Sequence, residues 1–385
     1  MTNDNYIARL ATFRRQMDQN RLDAAFLMMS GDLQYLTGIA RQPHNPTDDN
    51  KHGDELYGAF ITPDRVVFVV PRMGASGYVR TQAEGKHWIS DMMVINDGDH
   101  LVPFTRRLMS SLGNPKKLAV SSRMWTKSSL LLQTAEPNLI FSDASEIIGP
   151  MRAVKDPEET RIMQEAGVIT DRVFAAVLGQ LRLGLTQYDI AREVERQIIM
   201  HGGSGTSFHT SIYVTGDNIR FVPGPDGKTG FTPLTPGAVV AFDYGITYKG
   251  YVSDFGRTVF CGEPSTEYSR YHQYVMKSQA TAMHAMMGGA ITAAELNSLA
   301  RQVLDDEGYG TYFTHRLGHG IGIDVHEPPF LYELENTLLE DGMCFTIEPS
   351  IWVPGGPLVR VEDVVQVTPQ GGVSFSNFSR ELLVI

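Results

Sequence analysis

The N-terminal part of the chain alternates between helical and extended patterns of apolar residues. Apolar positions recur at helical spacing in "YIARLATFRRQMDQNRL", whereas the short apolar runs "DAAFLMM", "GAFITPDRVVFVVP" and "KKLAVSS" predict strands. This alternation predicts a small α/β domain. A polar, turn-rich segment at residues 41–58 is longer than most connections in a compact domain, so we interpret it either as a functional loop or as a flexible surface excursion.

The pattern changes near residue 150, where a Gly-Pro break precedes a long helical segment. Pro157 and two glutamates stand at the start of that segment, as is typical of a helix N-terminus. A chain of 385 residues also exceeds the usual size of one domain. We therefore predict an N-terminal domain at residues 1–150 and a second domain at residues 151–385.

The second domain contains a weak internal repeat. The segments Thr186–Asp189 and Thr292–Glu295 both resemble a capping box at the start of a helix. Each predicted helix is followed by a turn and a strand-like segment that ends in an acid, Asp243 in the first copy and Glu348 in the second. The capping boxes are 106 residues apart and the acids are 105 residues apart. The shared separation predicts two structurally related halves, each of which delivers an acid from the end of a strand.

The charge balance argues against several classes of partner. With 33 Lys and Arg against 44 Asp and Glu, the formal net charge is -11, which disfavours nucleic acid or an anionic membrane as a partner. Two cysteines, Cys261 and Cys344, are too few for a disulfide framework and indicate a reducing compartment. The polar N-terminus does not resemble a signal peptide, and the apolar runs are far shorter than the roughly 20 residues of a membrane helix. We therefore expect a soluble cytoplasmic protein.

Four acids lie in strand-like, otherwise apolar segments. Asp243 and Asp254 are 11 residues apart across a predicted turn, so both side chains can face the same side of a hairpin. Glu348 and Glu362 are 14 residues apart across the turn-rich "PGGP". A single acid of this kind is usually a solvated strand end or an ion-pair partner. Four together, if buried, would repel one another strongly unless a cation held them.

The stretch "HRLGHGIGIDVHE", residues 315–327, contains three histidines around a glycine-rich centre. His319 lies between two glycines, which let the backbone and an ion approach closely. One imidazole and four carboxylates form a hard, oxygen-rich ligand set that suits Mn²⁺, Co²⁺, Fe²⁺ or Zn²⁺, as a bridged pair of ions. His315 and His326 flank this ligand, and each either contacts a substrate or makes a structural hydrogen bond.

Four segments of the second domain, in chain order, resemble the metal-site segments of the pita-bread metallohydrolases. These segments are "FDYGITYKGYVSDFGRTVF", "HRLGHGIGIDVHEPP", "FTIEPSIWVPGG" and "VRVEDVV". The family includes methionine aminopeptidase, aminopeptidase P, prolidase and the metal-free creatinase. The resemblance implies an α+β fold: a pita-bread catalytic domain with an internal pseudo-twofold repeat, preceded by a smaller creatinase-type α/β domain. It also implies a homodimer.

The resemblance implies a complete metal site. Carried over position by position, the family's metal ligands correspond to Asp243, Asp254, His319, Glu348 and Glu362. They would bind two divalent ions, with Mn²⁺ as first choice and Co²⁺, Zn²⁺ or Fe²⁺ as alternatives. In the family, the acids that match Asp254 and Glu362 bridge the two ions. Because the set is complete, we expect neither the metal-free creatinase mechanism nor a binding module without catalysis.

The resemblance also implies catalytic roles. Glu348 is expected to accept a proton from the attacking water and to return it to the leaving nitrogen. His315 and His326 match histidines that contact the substrate, and Arg360 matches an arginine beside the site. The closest likeness is to Xaa-Pro aminopeptidase or Xaa-Pro dipeptidase. We therefore expect a peptidase that cleaves Xaa-Pro bonds of short peptides by a metal-bridging hydroxide.

One segment departs from the family pattern. Peptidases of this group usually carry a histidine in the loop before the first aspartate, where this chain has Val222-Pro223-Gly224. His209 lies too early in the chain to replace it, and we interpret His209 as structural. The missing histidine favours an alternative function, a non-peptidase hydrolase of amide, amidine or ring C–N bonds on the same metal site. A non-catalytic binding module is the remaining alternative.

Overall fold

The computed structural model describes residues 1–41, 51–72, 75–217, 219–224 and 229–385. These residues divide into two compact units, Met1–Arg152 and Ala153–Ile385. The sequence predicts a boundary between two independently folding domains after residue 150, and this boundary stays a prediction. Most of the segment at residues 41–58 lies outside the described residues, so both interpretations of it stay predictions. Across the described ranges, no helix combines the length and the apolar character needed to span a membrane.

The first unit contains a six-stranded mixed sheet. Its helices are α1 (Asn3–Gln19), α2 (Gly31–Thr37), α3 (Ala75–Ala83), α4 (Leu101–Ser111), α5 (Thr126–Ala135) and α6 (Ser145–Ala153), with a 3-10 turn at Asp54–Leu56. Its strands are β1 (Ala24–Met28), β2 (Gly58–Ile61), β3 (Val66–Pro71), β4 (Asp91–Ile95), β5 (Lys117–Val120) and β6 (Ile140–Asp143). The sheet order is β4-β3-β2-β1-β5-β6, so the predicted α/β alternation is confirmed.

The core of the first unit includes the pair of strands β1 and β2. Phe26 and Phe60 lie opposite each other in this antiparallel pair, and their rings stack with centroids 4.5 Å apart. Both side chains are fully buried, and burial of each contributes about 1.5 to 3 kcal/mol. A slip of one residue in the register would turn these rings to the opposite face, so the packing fixes the register.

The second unit contains a nine-stranded sheet and four helices in the described part of the chain. The helices are α7 (Pro157–Leu178), α8 (Gln187–Met200), α9 (Thr266–Ala285) and α10 (Ala293–Asp305), with a 3-10 turn at Gly310–Tyr312. The strands are β7 (Gly205–Thr206), β8 (Ser211–Thr215), β9 (Val239–Tyr244), β10 (Ile246–Tyr248), β11 (Tyr251–Val252), β12 (Phe255–Phe260), β13 (Gly318–Gly320), β14 (Glu327–Leu331), β15 (Cys344–Ile347), β16 (Ser350–Trp352), β17 (Leu358–Arg360), β18 (Glu362–Thr368), β19 (Gly371–Ser374) and β20 (Leu383–Val384).

The large sheet is symmetric about the pairing of β12 with β18. Its order is β14-β13-β15-β18-β12-β9-β8, with β19 beside β18 and β20 beside β12. On one side of the pair, α7 and α8 precede β8, β9 and β12; on the other side, α9 and α10 precede β13, β15 and β18. Thr186 and Thr292 form the predicted capping boxes of α8 and α10. The internal repeat is confirmed, and its two halves meet where β12 pairs with β18.

Each half has its own apolar cluster. Phe174 of α7 contacts Phe242 of β9 and Phe255 of β12, with ring centroids 5.2 Å apart in both pairs. In the other half, Phe345 and Ile347 of β15 pack in a cluster that includes residues of α9 and α10. Close packing of this kind makes the ends of the strands a rigid support for polar side chains.

Gly318, which precedes the candidate ligand His319, has no room for a side chain. A Cβ atom at residue 318 would lie 1.9 Å from the carbonyl oxygen of Thr346 on β15. We expect Gly318→Ala to lower the free energy of unfolding by about 2 kcal/mol or more, because β13 and β15 must separate. Gly98→Ala is the matched control, since no atom of the described residues lies within 4 Å of a Cβ there. Chemical denaturation measures both, and equal effects would contradict this account.

Candidate metal centre

Three of the predicted acids meet across β9, β12 and β18. Asp243 lies in β9, Asp254 directly precedes β12, and Glu362 is the first residue of β18. Gly256 of β12 pairs with Asp243 on one side and with Glu362 on the other. A Cβ atom at residue 256 would lie 2.8 Å from Oε2 of Glu362, so the glycine leaves room for that side chain. Carboxylate oxygens of the three acids lie within 4.8 Å of one another.

The other two predicted ligands come from the second half of the repeat. His319 lies in β13, and Glu348 directly follows β15. Nε2 of His319 is 3.6 Å from Oδ2 of Asp254 and 3.5 Å from Oε1 of Glu348. The structure therefore brings all five predicted ligand residues together. That they coordinate metal ions stays a prediction.

His319 presents one ring nitrogen to the acids. Nδ1 lies 3.1 Å from the carbonyl oxygen of Gly320, so this nitrogen carries the hydrogen and donates it. Nε2, which faces the acids, then has the lone pair. Burial lowers the pKa of His319 to about 4, so the ring is neutral at pH 7. A neutral imidazole whose other nitrogen is held by a backbone carbonyl is the usual form of a histidine metal ligand.

Neighbouring positive groups do not fully compensate the buried acids. Burial, together with the charges of neighbouring acids, raises the pKa of Asp254 and of Glu362 well above the ordinary carboxyl value. Burial also raises the pKa of Glu348. Within the described part of the chain, Oδ1 of Asp254 and Oε2 of Glu362 are buried without a hydrogen-bond partner. These residues fit a divalent cation, which would coordinate the unsatisfied oxygens and stabilise the ionised acids.

Arg360 supplies one positive charge at the edge of the acid cluster. Its Nη1 is 2.7 Å from Oδ2 of Asp243, 3.8 Å from Oε2 of Glu362 and 3.9 Å from Oε2 of Glu348. Burial alone would lower the pKa of this guanidinium, but the charges of the acids raise it. One guanidinium cannot balance four ionised carboxylates, so the cluster attracts cations when its acids are ionised.

The two outer histidines have different surroundings. Nδ1 of His315 lies 2.8 Å from the carbonyl oxygen of Arg316, and Nε2 lies 2.6 Å from Oγ of Ser350. Both ring nitrogens of His315 therefore make hydrogen bonds within the protein, which favours the structural interpretation. His326 is exposed, and its ring centroid is 4.1 Å from that of His319. His326 thus combines exposure with contact to the candidate ligand, while a substrate role for either histidine stays a prediction.

The sequence does not predict a buried ion pair behind Glu362. Arg257 of β12 and Asp363 of β18 are almost fully buried, with Nη2 and Oδ1 2.8 Å apart. Nη1 of Arg257 also donates to the carbonyl oxygen of Glu362 at 2.7 Å. Asp363 accepts further hydrogen bonds from Gln279 at 3.0 Å and from Arg380 at 2.7 Å. The only sequence signal is a charged residue inside each of two apolar strands, "FGRTVF" and "VEDVV".

The loop that lacks the family histidine makes local hydrogen bonds. Val222 is exposed, and its N–H donates to Oγ1 of Thr232 at 2.8 Å. Nε2 of His209 lies 2.8 Å from Oγ1 of Thr229, a contact that agrees with the structural interpretation of this histidine. Residues 222–224 are Val, Pro and Gly, so the histidine that the resemblance leads us to expect is absent at these positions.

The raised pKa of Glu362 makes the stability of the metal-free protein depend on pH. An acid whose pKa is higher in the folded chain than in the unfolded chain contributes stability that is complete below its ordinary pKa and is lost as the pH rises. We expect metal-free Glu362→Gln to be more stable than the metal-free wild type at pH 8, by about 1 kcal/mol or more, with a difference that shrinks toward pH 4. Chemical denaturation in the presence of a chelator measures this difference.

Glu340→Gln is the matched control, because Glu340 is an exposed acid of the same unit. We expect it to change the free energy of unfolding by less than about 0.5 kcal/mol at every pH. A metal-free Glu362→Gln variant that is less stable than the wild type at pH 8 would show that Glu362 is not held in an unfavourable charged state.

The structure is similar to solved structures of dipeptidases. The dipeptidase from Pyrococcus horikoshii OT3 matches with a TM-score of 0.85 at 28% sequence identity, over 98% of this chain and 100% of that chain. The dipeptidase PepE from Mycobacterium ulcerans matches with a TM-score of 0.85 at 29% identity, over 100% of this chain and 99% of that chain. The predicted fold class is therefore confirmed.

The sequence is similar to named dipeptidases over its whole length. The Xaa-Pro dipeptidase of Lactobacillus helveticus is 30% identical over 387 residues, which is 98% of each chain. The putative dipeptidase YkvY of Bacillus subtilis (strain 168) is 30% identical over 388 residues, which is 99% of this chain and 100% of the relative.

Two family models cover most of the chain. Residues 9–154 match the Creatinase/Prolidase N-terminal domain, and residues 161–369 match Metallopeptidase family M24. The resemblance to the pita-bread metallohydrolases is therefore confirmed. The chain belongs to metallopeptidase family M24 and is a metallohydrolase with a creatinase/prolidase-type N-terminal domain.

Proposed function

We propose that this chain is a dinuclear metal-dependent peptidase that cleaves Xaa-Pro bonds of short peptides. The observation that carries the proposal is the meeting of four carboxylates and one neutral imidazole in one cluster, with buried oxygens that lack hydrogen-bond partners among the described residues. The preference for proline is supported by relatives named Xaa-Pro dipeptidase.

The proposed metal ligands are contributed by both halves of the repeat. The residues that would hold two divalent ions are Asp243, Asp254, His319, Glu348 and Glu362. Carboxylates are hard ligands, so Mn²⁺ is our first choice, ahead of Co²⁺, Zn²⁺ and Fe²⁺. When bound, such ions act as Lewis acids that lower the pKa of water and polarise a substrate carbonyl.

Glu348 is the proposed general base, and its surroundings support this role. Its Oε1 accepts a hydrogen bond from Oγ1 of Thr346 at 3.1 Å, and its Oε2 faces Nη1 of Arg360 at 3.9 Å. Burial raises the pKa of Glu348, which makes its carboxylate a stronger base than that of an exposed glutamate. In our proposal Glu348 takes a proton from the attacking water and returns it to the leaving nitrogen.

His326 is the proposed contact to the substrate carbonyl. A ring N–H that points at this oxygen stabilises the negative charge of the tetrahedral intermediate, and contacts of this type are worth about 3 to 4 kcal/mol. His315, which is hydrogen-bonded to Ser350, is the second proposed substrate contact. Arg360 holds the carboxylate of Asp243 through the 2.7 Å ion pair and so fixes its orientation.

A second candidate function is a non-peptidase hydrolase of amide, amidine or ring C–N bonds. It is favoured by the absence of the family histidine at Val222-Pro223-Gly224. The same acid cluster would serve this chemistry, because both reactions add water to an electrophilic carbon. A different group beside the scissile bond would change which substrate fits.

One experiment separates these functions. The purified protein is analysed for bound metal, loaded with Mn²⁺ or Co²⁺, and assayed with Xaa-Pro dipeptides and tripeptides, cyclic amides and guanidino compounds. We expect turnover of Xaa-Pro peptides, and we expect Glu348→Gln to lower kcat by about 100-fold or more because the general base is lost. Glu340→Gln, the exposed control, keeps wild-type kcat.

The outcomes of this assay are distinct. Two bound ions without turnover of Xaa-Pro peptides would contradict the peptidase proposal, and turnover of cyclic amides or guanidino compounds would then favour the second candidate. A protein with no bound metal and no turnover would favour the binding module.

We also propose that the protein is a cytoplasmic homodimer. The two free cysteines support the location, and the family resemblance supports the assembly. Light scattering after size-exclusion chromatography should give twice the chain mass of 42.7 kDa. A mass of one chain at micromolar concentration would contradict the dimer.

A further inference from the structure

Lys155 and Glu327 form an ion pair inside the second unit. Nζ of Lys155 lies 3.3 Å from Oε2 of Glu327, and the two side chains are 2% and 4% exposed. Lysine and glutamate are rarely buried so completely, because the loss of hydration offsets most of the attraction within a single buried pair. Stability alone therefore does not explain why the chain keeps both charges here.

Glu327 also bridges the turn that carries His326. Its other oxygen, Oε1, accepts hydrogen bonds from the N–H groups of Ile323 at 2.8 Å and Asp324 at 2.9 Å. Glu327 directly follows His326 in the chain. One carboxylate therefore holds the backbone of the turn between residues 323 and 327, which includes His326.

Lys155 holds that carboxylate from outside the turn. It lies just before α7, and its Nζ also donates to the carbonyl oxygen of Ala153 at 3.3 Å. Gly322 leaves space for the pair, because a Cβ atom at residue 322 would lie 3.0 Å from both oxygens of Glu327 and from Cε of Lys155. The N–H of Val252 donates to the carbonyl oxygen of Gly322 at 2.9 Å, which ties the turn to β11.

A second buried acid, Glu159, acts together with the pair on the buried thiol of Cys344. Burial raises the pKa of the Cys344 thiol to about 12, and the charges of Lys155, Glu159 and Glu327 all act on this thiol. Glu159 accepts hydrogen bonds from the hydroxyl of Tyr251 at 2.9 Å and from the N–H of Asp156 at 3.0 Å. Removal of Lys155 takes the cation away from the buried carboxylate of Glu327, and the cost of burying that charge without Lys155 would shift the turn.

We propose that Lys155 and Glu327 are positioning residues that hold the ring of His326 against the candidate ligand His319. The two rings pack with centroids 4.1 Å apart and an angle of 45° between their planes. The proposal rests on the proposed function in that it assigns His326 to the substrate. It extends that function to two residues that are not proposed ligands and lie 172 positions apart in the chain.

The test compares Lys155→Met with the double variants Lys155→Met/Glu327→Gln and Lys155→Met/Glu327→Leu. Glutamine keeps an oxygen that accepts hydrogen bonds from the turn and removes the negative charge of Glu327, whereas leucine removes both the oxygen and the charge. The full chain is used for all measurements. The first set gives kcat and KM for an Xaa-Pro dipeptide together with the number of Mn²⁺ ions bound per chain. The second gives the rate of hydrogen exchange of the backbone amides at residues 321–327.

We expect Lys155→Met to lower kcat by about tenfold or more, because a displacement of about 1 Å costs up to 100-fold. KM and the number of bound ions stay at the wild-type values, because His326 is not a metal ligand. Exchange at residues 321–327 becomes faster by about tenfold. The glutamine double variant recovers kcat and slow exchange to within about threefold of the wild type, and the leucine double variant does not.

Arg152→Met is the control for loss of stability, because Arg152 forms another largely buried ion pair, with Asp32 at 2.6 Å in the first unit. We expect it to lower the melting temperature without changing the exchange at residues 321–327. Equal rescue by glutamine and leucine, or a loss of bound metal in Lys155→Met, would overturn the positioning role.

The exchange measurement keeps this proposal separate from the proposed function. If the wild type does not cleave Xaa-Pro peptides, the proposed function fails, and the exchange rates alone decide the positioning role. Fast exchange in Lys155→Met that is reversed by glutamine supports it, and unchanged exchange in Lys155→Met overturns it.

Discussion

The repulsion between buried carboxylates is the constraint on which the site depends. β12 and β18 pair antiparallel, and this pairing brings Asp254 and Glu362 close together inside the protein. Gly256 allows the approach because a side chain at this position would meet Glu362. Hydrophobic packing in both halves of the repeat holds the strands, so the acids cannot move apart to lower their energy. A bound cation is the remaining way to stabilise their ionised forms.

Positive side chains support this arrangement without neutralising it. Arg360 pairs with Asp243 at the edge of the cluster, and Arg257 pairs with Asp363 behind it. Arg257 binds the carbonyl oxygen of Glu362, so it fixes the backbone and leaves the carboxylate of Glu362 available. Lys155 stands further out and acts through Glu327. Each cation therefore orients a part of the site, while the centre keeps the negative charge that metal ions require.

The sequence predicts the fold from local patterns, and it predicts which five residues meet at the candidate site from local patterns together with the family resemblance. Asp243 and Asp254 belong to one hairpin, and the glycines around His319 mark a close approach that is visible within a few residues. The ion pairs Arg257–Asp363 and Lys155–Glu327 join residues 106 and 172 positions apart, and no local pattern connects their members. Their partners are determined by the pairing of strands in three dimensions. The contacts of His315 cannot be predicted from the sequence for the same reason, because its partner Ser350 lies on β16.

Calorimetric titration of the metal-free protein with Mn²⁺ at pH 7, in buffers of different ionisation enthalpy, tests the central claim most directly. Because burial raises the pKa of Asp254, Glu348 and Glu362 in the metal-free protein, metal binding should release more protons than binding to exposed acids would. The account predicts two ions per chain and a net release of protons that is reduced in Glu362→Gln. Binding of Mn²⁺ without proton release, or with the same release in Glu362→Gln, would contradict it.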